Sequence, residues 1–580
     1  MSAQTGEAAP SGPASSRLAD RARYRVDRLR KEPNPLWMRE LKQAARLVRT
    51  PILLCVIAII VTLFMGSIGG LMSVRESPAT TGFVLFQVFF SVAYFVVTLI
   101  GPAVAANSIA SEREGRTWEA VILTGLRPAV ITRGKFLAAY TAIGMYIVML
   151  APVGALPFLF GGVTATETIV AFAFLFLIAG LAVAFGLAIS SKMNSVRAAI
   201  VVTLLLAATV SLGVYLALGV GLSYVAHEAW PGVPDGPPIW LPTAYARAPF
   251  DLRYFIFLLV LPVAIAALPA WFLYEVSIAN LTSITDDRST GLKRWFVVAA
   301  PVFALATAIP IAAVDPSDRI AAFFAGGSLH FVFLHLCAYL FVGDPLGPSR
   351  RVRMHWDREG AGRITRLLGP GIVRTSGIEL LLGIATFGLL AAVGLLTVPT
   401  GATPGVRAMQ IVVFTLYAAG FFLFTVGLGA YLRTRSSTPI LSRVLLLAVH
   451  FLVAVGPWVV AAIMGIMWTG GRQALVVATP SPFGVFVALD ALERSGEGIL
   501  VTGAVVSACV WGLLGLLGLV LARRRVTTVI ANHEAALAHT DRILAEEDAA
   551  AAAAQAAAAQ GERAGANEVP VGEGEPQAVS

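Results

Sequence analysis

The sequence predicts an all-α polytopic membrane protein, with about twelve transmembrane helices in two tandem six-helix units and both termini cytoplasmic. Three observations carry that expectation. Of 580 residues, 57% are hydrophobic and only 13% are charged, whereas a soluble domain carries about 25% charged residues. The mean hydropathy is +0.78. The apolar residues also gather into runs of about 20, the length a helix needs to cross a hydrocarbon core of roughly 30 Å. Such a chain is not an ordinary soluble enzyme, a disordered protein or a fibrous one.

Twelve candidate spans follow one another at 51–72, 83–106, 136–158, 168–189, 198–222, 254–275, 295–314, 320–343, 377–398, 408–432, 444–468 and 499–522. The seventh and eighth are the least separated, with Asp315 to Arg319 between them. All 43 Lys and Arg residues lie outside these limits. With the N-terminus in the cytoplasm, 36 of them fall on the cytoplasmic side and 7 on the other. The positive-inside rule then sets the topology. The net charge of +9 becomes a feature of topology, with a contribution from anionic headgroups, and no nucleic-acid partner is expected.

The flanking segments differ from the spans. Residues 1–33 are polar and Ala/Ser/Arg-rich, without the apolar core of a signal peptide, and are expected to form a mobile cytoplasmic N-terminus. Residues 34–50 place Trp37, Leu41, Ala44 and Val48 on one helical face and Arg39, Lys42, Arg46 and Arg49 on another. That pattern, with Pro35 near its start, predicts an amphipathic helix lying in the cytoplasmic interface against membrane lipids. The first six-span unit is expected over 51–280 and the second over 281–525. Residues 526–580 form an acidic tail with an Ala run from Ala549 to Ala559 that favours helix and a polar end beyond Gly561 that reads as disordered. Cys55, Cys337 and Cys509 each stand alone in an apolar run and make neither a disulfide framework nor a zinc site.

The segment between the second and third spans, NSIASEREGRTWEAVILTGLRPAVITRGKFLAAY at 107–140, holds most of the functional information. Ser111 and Glu114 have the spacing of a capping box. Ile122, Leu123 and Leu126 are apolar residues on a stretch that also carries Glu112, Glu114 and Glu119. A helix of this composition would lie at the end of the bundle and present acids to a cytoplasmic partner. Arg127-Pro128 breaks it, and Gly134-Lys135 leads into the third span.

This segment resembles the first cytoplasmic loop of type-2 ABC exporter permeases. Glu112, Glu114, Gly115, Thr117, Glu119, Leu123, Thr124, Pro128, Gly134 and Lys135 match the family pattern, while Arg116 stands between Gly and Thr and Gly125 where the family usually has Pro. The preceding NPLWMREL, with Trp37, Arg39, Leu41 and Lys42, looks like the family's amphipathic leading helix. The resemblance is specific over 34–140 and architectural to about 275. It implies that the loop is a coupling helix docking on a separate ABC ATPase subunit, in the cytoplasmic (inner) membrane of a bacterium. ATP-Mg would then be held by those subunits, and this chain would bind no cofactor or metal of its own.

The second half offers a counterpart. In WDREGAGRITRLLGPGIVRTSG, Asp357, Arg358, Glu359 and Gly360 answer Glu112, Arg113, Glu114 and Gly115, each tetrad about 20 residues before the next span. Pro249-Phe250 before the sixth span and Pro482-Phe483 before the twelfth both sit in long outer loops of about 30 residues. Together these predict two diverged six-span units. A homodimer would be needed should the halves not make a full permease.

No phosphate-binding loop is present. Gly134-Lys135 is followed by Phe136 rather than Ser or Thr, and position 129 is Ala. His330, His335 and His450 lie within spans. His330 and His335 are five residues apart, about 140° around one helix, and read as helix-packing residues rather than a metal pair. Glu275 and Glu379 fall at span edges, which leaves no carboxylate for a proton relay. The expected function is the membrane subunit of an ATP-driven exporter of unspecified substrate, without an ATPase or other enzymatic site. The alternatives are a twelve-span secondary transporter and a non-transporting scaffold.

Overall fold

The computed structural model describes residues 33–45, 49–216, 221, 230, 242–398, 404–467, 474–493 and 498–566. The N-terminal stretch 1–32, Arg46 and Val48, much of the two long loops and the tail beyond 566 lie outside the described residues. Within them the chain is helical throughout, with no strand.

A helix stands at each expected span. They are α2 (Arg49–Ser73), α3 (Pro78–Glu114), α5 (Pro128–Phe160, interrupted at Ala155), α6 (Ala165–Ser190), α7 (Val196–Tyr215) and α9 (Leu252–Leu281) in the first half. The second half supplies α10 (Thr290–Ala313), α11 (Arg319–Phe341), α14 (Ile372–Thr397), α15 (Pro404–Arg435), α16 (Pro439–Met467) and α18 (Gly498–Ala566). Among the described residues 11 of these are long and apolar enough to cross a membrane, and α2 adds an apolar Ala58–Ser73. The chain is an all-α polytopic membrane protein. The short helix α1 (Pro35–Ala45) precedes the first span, and between the spans lie α4 (Trp118–Leu123), α8 (Pro242–Arg247), α12 (Arg350–Arg358), α13 (Arg363–Leu368) and α17 (Gly484–Glu493).

Local chemistry explains several ends. Ser77 caps α3 by accepting from the Thr80 amide, with Pro78 in the first turn. Thr164 and Glu167 form a reciprocal capping box at the start of α6. The box expected at Ser111 and Glu114 does not form, because nothing between 107 and 114 breaks the preceding span. The 37-residue α3 therefore runs about 55 Å, well past a roughly 30 Å hydrocarbon core. α18 behaves likewise. The last span continues unbroken into the tail as one helix of 69 residues, and Gly561, expected to begin the disordered end, is inside it.

Most helix pairings of the first half recur in the second, although the packing of α3 on α7 has no equal between α11 and α16. α2 packs on α3 and α5, as α10 packs on α11 and α14. α3 packs on α5 and α6, as α11 packs on α14 and α15. α6 packs on α5, α7 and α9, as α15 packs on α14, α16 and α18. Even the short helices correspond, with α8 on α6 and α17 on α15. The halves meet along α9 and α10, where Trp295 donates its indole N–H to the Leu268 carbonyl at 2.8 Å and packs on Phe272.

Lipid supplies little hydrophobic drive between helices, so close backbone approach carries the packing. α15 and α18 show it most clearly. A Cβ on Gly427 would stand 2.0 Å from the Gly515 carbonyl oxygen, so only glycine permits the contact. α16 has the opposite character and leaves Leu447, Phe451 and Leu452 exposed, as a lipid-facing helix does.

Ion pairs and hydrogen bonds join α1 to α3 and α5, the α4 loop to α12 through Arg127 and Glu359, α13 to α10, and α12 to the start of the α18 extension, all at one end of the bundle. Most of the Lys and Arg residues between the spans gather there. We call it the basic end.

Candidate functional site

The basic end is built around a buried lysine in each half. In the first half, Lys135, two turns into α5 after Pro128, is fully buried. Its ammonium lies 2.9 Å from Glu40 Oε1 and 3.1 Å from Glu112 Oε1. It also donates to the Ser108 carbonyl at 2.9 Å. Arg39 adds a second cation to Glu112. Two cations thus meet two carboxylates, and the group bridges α1, the end of α3 and the start of α5. A buried pair of this kind is costly to break from one side, about 3–5 kcal/mol, because the remaining charge is left without a partner.

Around this clamp α1 is seated on α5. Asn34 accepts from the Leu36 amide at 3.0 Å and donates to the Val130 carbonyl at 2.9 Å. Leu36 is buried with Val121 and Ile131. Gly134 is required by the approach, since a Cβ there would lie 2.5 Å from Asn34 Oδ1. The amphipathic pattern is present, but its anchor differs from the expected one. Leu36 is the buried residue, Trp37 and Leu41 are half-buried, and Lys42 is exposed.

Glu112, expected as a surface acid beside Glu114 and Glu119, is buried inside the clamp. Its place near the end of α3, one helical face away from Glu114, turns it toward Lys135. Glu114 is exposed and accepts from the Val196 amide at 2.6 Å, which joins the end of α3 to the first turn of α7. Gly115 ends α3, and Arg116 takes a left-handed φ of 56°. Thr117 closes the turn by donating its amide to the Glu112 carbonyl at 2.9 Å.

The chain then forms α4, on which Glu119 is exposed, Ile122 is 54% exposed and Leu123 is 86% exposed. Trp118 is held beneath the Arg113 guanidinium at 5.6 Å. Gly125, with φ of 69°, and Pro128 in the first turn of α5 return the chain to the bundle. The loop is thus a short helix with an apolar, acid-flanked outer face, fixed at both ends to spans.

The second loop has a matching frame. Gly360 takes a left-handed φ of 60°, and α13 occupies Arg363–Leu368 just as α4 occupies Trp118–Leu123, at the same distance beyond the acidic tetrad. Ile364 and Leu367 are exposed on it. Within the tetrad, Asp357 pairs with Arg366 at 3.0 Å and Glu359 with His355 at 3.2 Å, while Arg358 is exposed. Glu359 also stands 3.9 Å from Arg127, so the two loops lie side by side.

The buried acid of the second half is not in that tetrad. It is Asp344, 2.8 Å from the buried Lys293. Asp344 also accepts from the Thr375 hydroxyl at 2.6 Å and the Gly371 amide at 3.0 Å. Lys293 further donates to the Gly369 carbonyl at 2.7 Å. Each half therefore ties the acid at or just past the basic end of its second span to a lysine. The third span supplies that lysine in the first half, and the first span supplies it in the second. In the sequence Asp344 and Lys293 each stand directly at a span boundary, and the fold brings them together.

Glu379, expected at a span edge, is buried two turns inside α14 with one carboxylate oxygen unpartnered, because α14 begins earlier than the hydrophobic run. His330 bonds Thr386 at 2.9 Å and His450 bonds Thr425 at 2.8 Å. Among the described residues no three metal-ligating side chains converge. Comparison with protein-family models, with curated proteins and with solved structures finds no match.

Proposed function

We propose that this chain is the membrane subunit of an ATP-driven exporter, moved by separate ABC ATPase subunits that dock on α4 and α13. The observation that carries the reading is the exposed Ile122–Leu123 pair on α4, a short helix held at both ends by spans and flanked by Glu119. A force applied there reaches α3 and α5 through the Lys135 clamp and α7 through Glu114. The recurring helix pairings support one chain supplying both halves of the path. ATP-Mg belongs to the partner subunits, and the termini lie with α4 on the cytoplasmic side of the membrane.

Reconstitution with stand-alone ABC ATPase subunits from the same organism tests the reading. Nucleotide hydrolysis should rise when the chain is present, and Leu123→Asp should abolish the rise while leaving the fold intact. Equal stimulation by the variant sinks the docking claim.

A carrier driven by an ion gradient is the second reading, and the buried Glu379 favours it. Transport that persists without ATP and stops when the proton gradient is dissipated would select it.

A further inference from the structure

Two cavities occupy corresponding places in the two halves. The first, of about 400 Å³, lies between α3, α6, α7 and α9. The second, of about 340 Å³, lies between α11, α15, α16 and the segment Pro482–Phe486 that precedes and opens α17. In the helix correspondence above, α3, α6 and α7 match α11, α15 and α16. Their fourth walls differ, α9 in the first and Pro482–Phe486 in the second, and so does the state of their polar groups.

In the first-half cavity the polar groups are satisfied within the protein. Tyr94 donates to the Ser211 carbonyl at 2.6 Å, and Thr98 donates to the Tyr94 carbonyl at 2.9 Å. In the second-half cavity two are not. His335, 7% exposed, places Nδ1 2.7 Å from the Phe331 carbonyl. A carbonyl only accepts, so the ring hydrogen sits on Nδ1 and the neutral ring presents a lone pair at Nε2. That nitrogen is buried without a partner, and so is the hydroxyl of Tyr339.

His335 and Tyr339 are four residues apart on one face of α11, so their side chains are neighbours. Both line the cavity, and the other walls are aromatic, including Phe414, Phe421 and Phe486. Val332 and Leu336 on its rim are more than half exposed, so the mouth opens sideways, where lipid chains lie. Leaving a buried acceptor and a buried donor unmet is costly, and a ligand that meets both recovers the cost.

We propose that this cavity binds a hydrophobic alcohol from the bilayer. Neither polar atom is open to the cavity as it stands, so the side chains over them turn aside as the ligand's hydroxyl donates to His335 Nε2 and accepts from Tyr339, with its chain among the aromatic side chains. A pocket of a few hundred Å³ that is mostly apolar, with a few converging polar groups, suits such a ligand. The inference does not depend on how transport is driven.

The test uses the full chain in detergent and a diazirine-bearing long-chain alcohol as photoaffinity probe, with its methyl ether as the comparison. The alcohol should label peptides of α11, α15 or α16 saturably. The ether cannot donate to His335 and should label about fivefold less, the factor one neutral hydrogen bond supplies. Tyr339→Phe, which keeps the ring and removes only the hydroxyl, should weaken alcohol labelling by a similar factor, and His335→Leu should do so at least as strongly. Tyr94→Phe, in the first-half cavity, should change nothing. Equal labelling by alcohol and ether, or no saturable adduct on these helices, overturns the proposal. The probe comparison needs no variant, so a His335 substitution that fails to fold does not blunt the test.

Discussion

Lys135 and Glu112 form an ion pair of 3.1 Å in which the lysine side chain has no exposed surface. Lys135→Met leaves Glu112 and Glu40 facing each other with Arg39 as their remaining cation. The expected cost is about 3 kcal/mol, near the low end for removing one partner of a buried pair because Arg39 persists. The double variant Glu112→Gln with Lys135→Met removes an acid as well and should recover part of that loss. Thermal unfolding of the purified chain measures both, and a double variant as unstable as the single one contradicts the clamp.

Lys293→Met should be the more damaging substitution. Among the described residues Asp344 has no second side-chain cation as close as Lys293, and its other carboxylate contacts there are a hydroxyl and an amide. The loss should approach about 5 kcal/mol, and the unfolding midpoint should fall below that of Lys135→Met. The reverse order would mean that Asp344 is not charge-compensated in the way the geometry implies.

Gly134→Ala tests the seat of α1. The added Cβ would meet Asn34 Oδ1 at 2.5 Å and Leu36 Cβ at 2.9 Å, so α1 must move away. Overpacking of this kind costs about 1–3 kcal/mol. Lys42 is exposed on α1, and tryptic cleavage there should accelerate severalfold. Unchanged cleavage would show that α1 is not held by this contact.

The extension of α18 is held differently. Arg350 pairs with Asp541 at 2.9 Å and Arg353 pairs with Glu534, all four about half exposed. Exposed pairs contribute under about 1 kcal/mol each and are screened by salt. Replacing both arginines by Ala should leave the unfolding midpoint within a degree or two, yet raise the mobility of a spin label introduced by Ala538→Cys. High salt should do the same to the unaltered contacts. A large drop in stability would mean that the extension is part of the core.

The spans were legible because each is a long apolar run bounded by Lys, Arg or Pro, and cation placement alone separated the two ends of the bundle. Short-range pattern was weaker. Ser111 and Glu114 have capping spacing, but spacing cannot show that α3 is already helical when it reaches them. The acidic tetrads stand just before the short helices of both loops, and the left-handed residues there, Arg116 and Gly360, come to light only in the structure. The tetrads did not reveal that Glu112 turns inward whereas Asp357 stays outside, since that depends on a lysine 23 residues away in the first half and on Asp344 taking that place in the second. The pairing of Lys135 with Glu40 and of Lys293 with Asp344 is hidden for the same reason, because each charge stands alone in the sequence until the fold supplies its partner. The exposed Leu123 is the opposite case. An apolar residue in a charged stretch stood out in the sequence, and it stands out again on the surface.

The central claim is that α4 is the surface through which a separate ATPase moves this bundle. The most direct measurement places a photo-crosslinking residue at position 123 in the intact membrane and identifies the adduct. The account predicts a polypeptide carrying its own Gly-rich phosphate-binding loop, captured from position 123 and not from position 451 on the lipid-facing side of α16. Adducts from position 123 that contain lipid alone, or a protein without a nucleotide site, would contradict it.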